Sequence, residues 1–168
     1  MLNLYKYYKG PTQLTGYEER TKFIPSLAYK YARTTKQRYP EGERAIMTDP
    51  YYIIQYAKQI IKGRWKEAEP IILTDPYYII RYTYDIIKGR WPEAEPIIMK
   101  EPYYAVDYAK YVIKGRWPEA EPNIMNESQA AFIYARDVIK GRWKEAEPYI
   151  EQNQSWWNVY LNFIKGTT

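Results

Sequence analysis

Residues 49–74 read DPYYIIQYAKQIIKGRWKEAEPIILT, and this 26-residue stretch decides the fold because the chain repeats it three more times. The four units together cover residues 49–152. Each unit contains the tetrapeptide KGRW, whose last residue recurs every 26 positions, at Trp65, Trp91, Trp117 and Trp143. A fixed period of this length is typical of proteins built by stacking identical supersecondary units.

The first half of each unit predicts a helix of about 12 residues. Asp49 offers a side-chain oxygen for the helix start, and Pro50 suits the first helical position, where an N–H has no partner. Gly63 is expected to end the helix in the left-handed conformation. The apolar residues follow helical spacing and form one stripe, namely Ile53, Ile54, Ala57, Ile60 and Ile61.

The second half of each unit predicts a short helix that begins after Trp65. Pro70 would remove a hydrogen bond from a regular helix there, so we expect a 3₁₀ or bent start and a regular part over residues 69–73. Neither helix is long enough to be stable alone in water. The predicted fold class is therefore all-α, an α-solenoid of stacked two-helix repeats with a period of 26 and atypical N- and C-terminal caps.

The ends of the chain depart from the repeat. Residues 1–23 are expected to form a basic N-terminal cap or arm, and residues 24–48 a degenerate first repeat in which Tyr39 takes the tryptophan position. After the four helical hairpins of residues 49–152, residues 153–168 predict a truncated capping helix. Three large aromatic side chains are available there to cover the last repeat, Trp156, Trp157 and Phe163.

Composition excludes several classes of function. The 168 residues include 21 Tyr and 6 Trp but no Cys and no His. These absences exclude a disulfide framework, a thiolate nucleophile and a Ser-His-Asp triad. We therefore expect no enzyme activity, no catalytic residue, no metal site and no cofactor. No apolar run reaches 18 residues and the start does not resemble a signal peptide, so we expect a cytoplasmic protein that does not enter the membrane.

The net charge of +5 is concentrated in residues 1–48, where nine Lys or Arg face four Glu, while residues 49–152 carry 15 basic and 16 acidic residues. A row of cations along the repeats could contact phosphates. The Arg of each KGRW is nevertheless expected to pair with a nearby Glu, such as Glu67 or Glu69, which would largely neutralise the row. The basic candidates are Lys30, Arg33, Lys36, Arg38, Lys62, Lys88, Lys114 and Lys140.

Tyrosines and the positions that differ between units are the candidate partner-binding residues. Adjacent residues of a helix cannot both face the core, so one Tyr of each Tyr-Tyr pair is expected to pack and the other to lie at the surface. The positions that differ between units are spaced three or four residues apart along the first helix, so they share one stripe of its surface. The candidates are Tyr51, Tyr77, Tyr103, Arg81, Tyr84, Asp107, Lys110, Tyr111 and Arg136. The four KGRW tryptophans are assigned to the core.

The stretches KGRWPEAE and YARDVIKGRWKEAEP, the latter at residues 134–148, resemble short α-helical repeats in proteins encoded by large DNA phages and related viruses. The resemblance covers residues 49–152 well and residues 30–48 weakly, and it implies a phage origin but no assigned activity. In that context we expect a non-enzymatic repeat protein that binds a protein partner in the host cytoplasm, for example as an inhibitor of a host defence factor. Two alternatives stay open: nucleic-acid binding through residues 1–48 and the KGRW cations, and a self-assembling scaffold that forms homodimers.

Overall fold

The computed structural model describes residues 19–166, and that part of the chain contains helices and no strand. The chain divides into two compact units, Met1–Ile72 and Leu73–Thr168. The prediction of an all-α fold whose helices repeat every 26 residues is confirmed: successive first helices begin at Pro50, Pro76, Pro102 and Ser128. Most of the cap predicted for residues 1–23 lies outside the described residues.

The first compact unit contains the degenerate repeat and the first full hairpin. Its helices are α1 (Pro25–Thr35), α2 (Pro40–Ile46), α3 (Pro50–Tyr56) and α4 (Glu69–Ile72). Helix α3 continues directly into a π-helical turn, Ala57–Ile61, which gives the 12-residue length that the sequence predicts. Helix α1 packs against both α2 and α3.

The second compact unit continues the same pattern and ends in a longer helix. Its helices are α5 (Pro76–Tyr82), α6 (Glu95–Ile98), α7 (Pro102–Tyr108), α8 (Glu121–Met125), α9 (Ser128–Tyr134), α10 (Glu147–Ile150) and α11 (Gln154–Lys165). The first three long helices extend through π-helical turns at Thr83–Ile87, Ala109–Ile113 and Ala135–Ile139. Helix α5 packs on α7, α7 on α9 and α9 on α11, while the short helices α8 and α10 contact the long helix on either side.

The helix starts follow from the residues that the sequence indicates. The carboxylate of Asp75 accepts a hydrogen bond from the backbone N–H of Tyr77 at 2.9 Å, and Asp49 does the same for Tyr51. Glu101, at the equivalent place in the third unit, makes no side-chain cap bond. This difference is expected because a Glu side chain is too long to fold back on the first turn.

The ends of the long helices correct one prediction. Lysine, and not the following glycine, adopts the left-handed conformation: φ is 59° at Lys62, and Gly63 has no left-handed φ. The same conformation recurs at Lys36, Lys88, Lys114 and Lys140. A non-glycine residue pays roughly 1–2 kcal/mol for this conformation, and it turns the chain sharply into the Arg-Trp pair of the next segment.

The central units hold one extra residue in the last helical turn, although the left-handed lysine lies three residues before the Tyr or Trp position in every unit. In α1 the backbone N–H of Lys36 bonds to the carbonyl of Ala32, four residues back, and the helix is a regular α-helix. In α3 the N–H of Lys62 bonds to the carbonyl of Ala57, five residues back. The wider π-helical turn accommodates that extra residue.

The short helices begin as the proline in their first turn predicts. After Trp143 the chain forms a 3₁₀ turn, Lys144–Ala146, before the regular turn of α10. Pro148 occupies one of the first two positions of α10, where its missing N–H has no cost. Among the residues that the structure describes, no helix is long and apolar enough to cross a membrane.

Candidate functional site

A buried polar network joins successive repeats within each compact unit, and it determines which side chains stay available for partners. In the third unit the Trp117 ring is 1% exposed, and its backbone N–H donates to the hydroxyl of Tyr134 at 2.6 Å. That hydroxyl donates in turn to Glu121 at 3.0 Å. Glu121 also accepts two hydrogen bonds from Arg116, both at 2.8 Å.

The same network recurs at the 26-residue period. In the second repeat, Tyr108 links the Arg90–Glu95 pair to the backbone N–H of Trp91. In the fourth repeat, Tyr160 links the Arg142–Glu147 pair to the backbone N–H of Trp143. The degenerate repeat has it as well, because the Tyr39 N–H donates to the Tyr56 hydroxyl, which donates to Glu43, the partner of Arg38. Tyr39 therefore takes the tryptophan position in structure too.

This network determines which cations of the predicted basic row form ion pairs. The bidentate partner of each KGRW arginine is the second Glu of the Glu-Ala-Glu segment that follows it, as in the Arg64–Glu69 pair at 2.7 Å. Glu67, the first Glu of that segment, is exposed. Arg38 is also paired, with Glu43 at 2.8 Å. The arginines are therefore neutralised, as expected, and they hold the repeats together.

The network also shifts the pKa values of its members. Hydrogen bonds from Arg90 lower the pKa of Glu95. Burial opposes the same shift at Glu121, but the bonds from Arg116 and Tyr134 outweigh it and the pKa is lowered there also. Burial raises the pKa of Tyr108 to about 12, because the hydroxyl has little water to stabilise a phenolate.

Acid should weaken the fold through these carboxylates. The folded-state pKa values of Glu95, Glu121 and Glu147 lie below the ordinary value of 4.5, so their contribution to stability is complete above that pH. We expect the free energy of unfolding to stay level from pH 7 to about 5 and to fall as the pH drops below about 4.5. Urea titrations at each pH measure this. The Glu95→Gln variant should show a smaller fall, and an equal fall would contradict the assignment.

The lysines of KGRW behave differently from the arginines. Lys62, Lys88, Lys114 and Lys140 are exposed, and none of them forms an ion pair with any residue between 19 and 166. The prediction that pairing neutralises the basic row therefore holds for the arginines only. On α1, Lys30, Arg33 and Lys36 are exposed as well.

The tyrosine pairs divide between surface and interior as the helix geometry requires. Tyr77 is 50% exposed and Tyr103 is 45% exposed, whereas Tyr78 and Tyr104 are half-buried. Tyr51 follows the same pattern in the first compact unit, where it is 53% exposed. The Tyr103 hydroxyl donates to the side-chain oxygen of Gln129 in the next repeat at 3.1 Å. The first Tyr of each pair therefore presents its ring to solvent.

The varied positions lie on the same side of the long helices. Arg81 and Asp107 are exposed, and Tyr84 and Tyr111 are 61% and 45% exposed. Lys110 is engaged between repeats, since its ammonium lies 2.8 Å from a carboxylate oxygen of Asp137. The guanidinium of Arg136 contacts the same carboxylate at 2.6 Å while half of its side chain stays exposed. Lys110 therefore joins two repeats, whereas Arg136 pairs with its own neighbour in the chain.

The inner tyrosines are the residues that sequence reasoning did not single out. The hydroxyls of Tyr56, Tyr108, Tyr134 and Tyr160 close the network. The rings of Tyr56, Tyr108 and Tyr134 pack on tryptophans at centroid distances near 5 Å. All the inner tyrosines are fully buried, at Tyr56, Tyr82, Tyr108, Tyr134 and Tyr160. The available signal was that this tyrosine recurs at a 26-residue spacing in every unit, including the truncated one.

No protein-family model matches the chain, and neither a curated protein nor a solved structure is significantly similar to it. The resemblance to phage-encoded repeats therefore stays a prediction. Any assignment of function depends on the side chains that the repeat leaves exposed.

Proposed function

We propose that the chain is a non-enzymatic helical-repeat protein that binds a partner protein through the outer side of its long helices. We name this surface the first-helix face. In the second compact unit it comprises Tyr77, Arg81, Tyr84, Tyr103, Asp107 and Tyr111. The observation that carries the proposal is the exposure of its four tyrosines, between 45% and 61%, on the adjacent helices α5 and α7 and their π-helical turns.

Exposed tyrosines favour protein recognition for a physical reason. A Tyr side chain offers a large, rigid contact area and a hydroxyl, and it loses little rotational entropy on binding. Here the backbone beneath the rings is fixed by the buried network. The binding groups are therefore held in place before the partner arrives, which reduces the ordering cost of association.

The varied charges on the first-helix face supply the means of choosing one partner. Arg81 and Asp107 occupy the same position of successive units and are both exposed. A partner must therefore present a complementary pair of charges at the repeat spacing, and a partner with the reverse order would meet like charges. If the phage resemblance holds, this partner is a host protein.

The test is a pull-down from host-cell lysate with tagged wild-type protein and two variants, each with and without nuclease. The first variant is Tyr77→Ala combined with Tyr103→Ala. The second is Glu119→Ala, an exposed residue beside the network that lies outside the first-helix face. We expect the wild type and Glu119→Ala to retain one stoichiometric protein after nuclease treatment. The tyrosine variant should retain at least tenfold less, since truncating two interface tyrosines costs upward of about 1 kcal/mol each.

Two results would contradict the proposal. One is recovery of the same protein by the tyrosine variant at wild-type level, which would place the contact elsewhere. The other is the absence of any stoichiometric protein that survives nuclease treatment. Circular dichroism of each variant establishes that the helices are intact.

The exposed lysines favour nucleic-acid binding as the second candidate. Lys88, Lys114 and Lys140 recur along the second compact unit with no ion pair among the described residues. Lysines that contact phosphates release counterions, so affinity would fall steeply between about 50 and 200 mM salt. A labelled single-stranded oligonucleotide titrated at both salt concentrations measures this. Binding that is absent at 50 mM salt would exclude the candidate.

A further inference from the structure

A cavity of about 280 Å³ lies between the second and third repeats, wholly within the second compact unit. It opens between the π-helical turns that follow α5 and α7. Five of its lining side chains carry polar groups, and none of its lining residues is acidic. They are Thr83, Tyr84, Lys88, Tyr111 and Lys114.

Thr83 is the residue that sets this cavity apart from the rest of the repeat. The other three units have alanine at its position, namely Ala57, Ala109 and Ala135. Thr83 is fully buried, and its hydroxyl has no hydrogen-bond partner among the described residues. A buried hydroxyl without a partner is costly, so a ligand that accepts or donates a hydrogen bond there would relieve that cost.

Two cations meet at the same cavity. Lys88 and Lys114 both line it, and both have a left-handed backbone, with φ of 58° and 61°. Because the conformation is uncommon for lysine, the two side chains leave the backbone in a direction that an ordinary helix end would not give them. Neither lysine forms an ion pair within residues 19–166. The cavity therefore combines two uncompensated positive charges with hydroxyl groups.

Two aromatic rings complete the lining. Tyr84 and Tyr111 both line the cavity and are 61% and 45% exposed. The ammonium of Lys110 lies over the Tyr111 ring, 5.0 Å from its centre, and its charge is balanced by Asp137 at 2.8 Å. Tyrosine rings stack on planar bases, while lysines bind phosphate as point charges.

We propose that this cavity binds a small ligand that joins a phosphoryl group to an aromatic ring, of the nucleoside monophosphate class. Lys88 and Lys114 bind the phosphoryl oxygens, Thr83 contributes its hydroxyl, and Tyr84 or Tyr111 stacks on the base. A volume of about 280 Å³ is at the lower end of known ligand pockets, which favours a mononucleotide over a larger ligand. The cavity overlaps the proposed protein interface at Tyr84 and Tyr111, while Thr83, Lys88 and Lys114 belong to the cavity alone.

Isothermal titration calorimetry of the full chain at 50 mM salt tests the site with three probes: adenosine 5′-monophosphate, adenosine and inorganic phosphate. We expect saturable one-to-one binding of the monophosphate, and at least tenfold weaker binding of each of the other two. Lys88→Gln and Lys114→Gln should each weaken monophosphate binding about tenfold, since each removes a charge-assisted hydrogen bond. Thr83→Ala should weaken it about threefold, and it introduces a residue that three other units already carry.

The repeat supplies a matched control. Lys140→Gln changes a lysine with the same backbone conformation that does not line the cavity, and it should leave binding unchanged. Equal weakening by Lys140→Gln, or binding of adenosine or phosphate as tight as that of the monophosphate, would overturn the assignment. So would the absence of saturable binding. Tyr77→Ala, outside the cavity, should bind the monophosphate normally even if the protein-interface proposal fails, which separates the two proposals.

Discussion

Replacing Trp117 by alanine is expected to lower the free energy of unfolding by about 3–5 kcal/mol, the usual cost of deleting a large buried aromatic side chain. The ring is 1% exposed and packs against the Tyr108 ring at a centroid distance of 5.0 Å. Removing it leaves a cavity between two repeats that the rigid network cannot easily fill. Urea denaturation followed by far-UV circular dichroism measures the loss.

The matched control is Tyr77→Ala, which also removes a large aromatic side chain but from a half-exposed position. It should cost well under 1 kcal/mol, as substitutions away from the core usually do. A Trp117→Ala variant as stable as Tyr77→Ala would mean that the tryptophan is a surface contact and that the packing between repeats depends on other residues.

The sequence could predict the helices and the tryptophan core because their signals are local and repeated. Asp75 followed by Pro76 marks a helix start within two residues, and the structure shows the predicted cap bond. The same interval of 26 residues separates the tryptophans. Because a stacked repeat must bury what each unit has in common, the large apolar residue present in every unit is the natural core position.

Other features depend on contacts that no short stretch of sequence displays. Glycine is the usual left-handed residue at a helix end, yet Lys62 adopts that conformation and Gly63 does not. The choice between Glu119 and Glu121 as the partner of Arg116 depends on the position of Tyr134 in the next repeat. Each of these outcomes requires knowledge of how neighbouring segments pack, which spacing alone does not give.

The candidate binding surfaces show the same contrast between local sequence signals and contacts formed only in the fold. Helical spacing predicts that one Tyr of each pair lies at the surface and that the varied positions share one stripe, and Tyr77, Tyr84 and Arg81 are exposed. The cavity, by contrast, depends on Lys88 and Lys114, which are 26 residues apart and meet only when the repeats stack. Its one hint in the sequence is Thr83, a polar residue where the other units have alanine.

Replacing Glu121 by alanine is expected to cost about 2–4 kcal/mol. The carboxylate accepts two hydrogen bonds from Arg116 and one from Tyr134, and only 11% of its side chain is exposed. Its loss leaves the buried Tyr134 hydroxyl with no acceptor for its hydrogen. Bonds to a charged group contribute about 1.5–3 kcal/mol. The cost should stay below that of breaking a fully buried pair because Arg116 is half-exposed and regains water.

Glu119→Ala provides the control, since this glutamate lies two residues away in the same turn but is exposed, and it should change stability by less than about 0.5 kcal/mol. A double-mutant cycle of Glu121→Ala with Tyr134→Phe then measures the coupling between the two repeats, expected at about 1–3 kcal/mol for groups in one network. Additive costs in the cycle would show that Glu121 stabilises only its own repeat. A nonzero interaction energy in the cycle would mean that the carboxylate joins Trp117, Arg116 and the next repeat into one cooperative element. Such an element would keep the exposed tyrosines of the first-helix face in register.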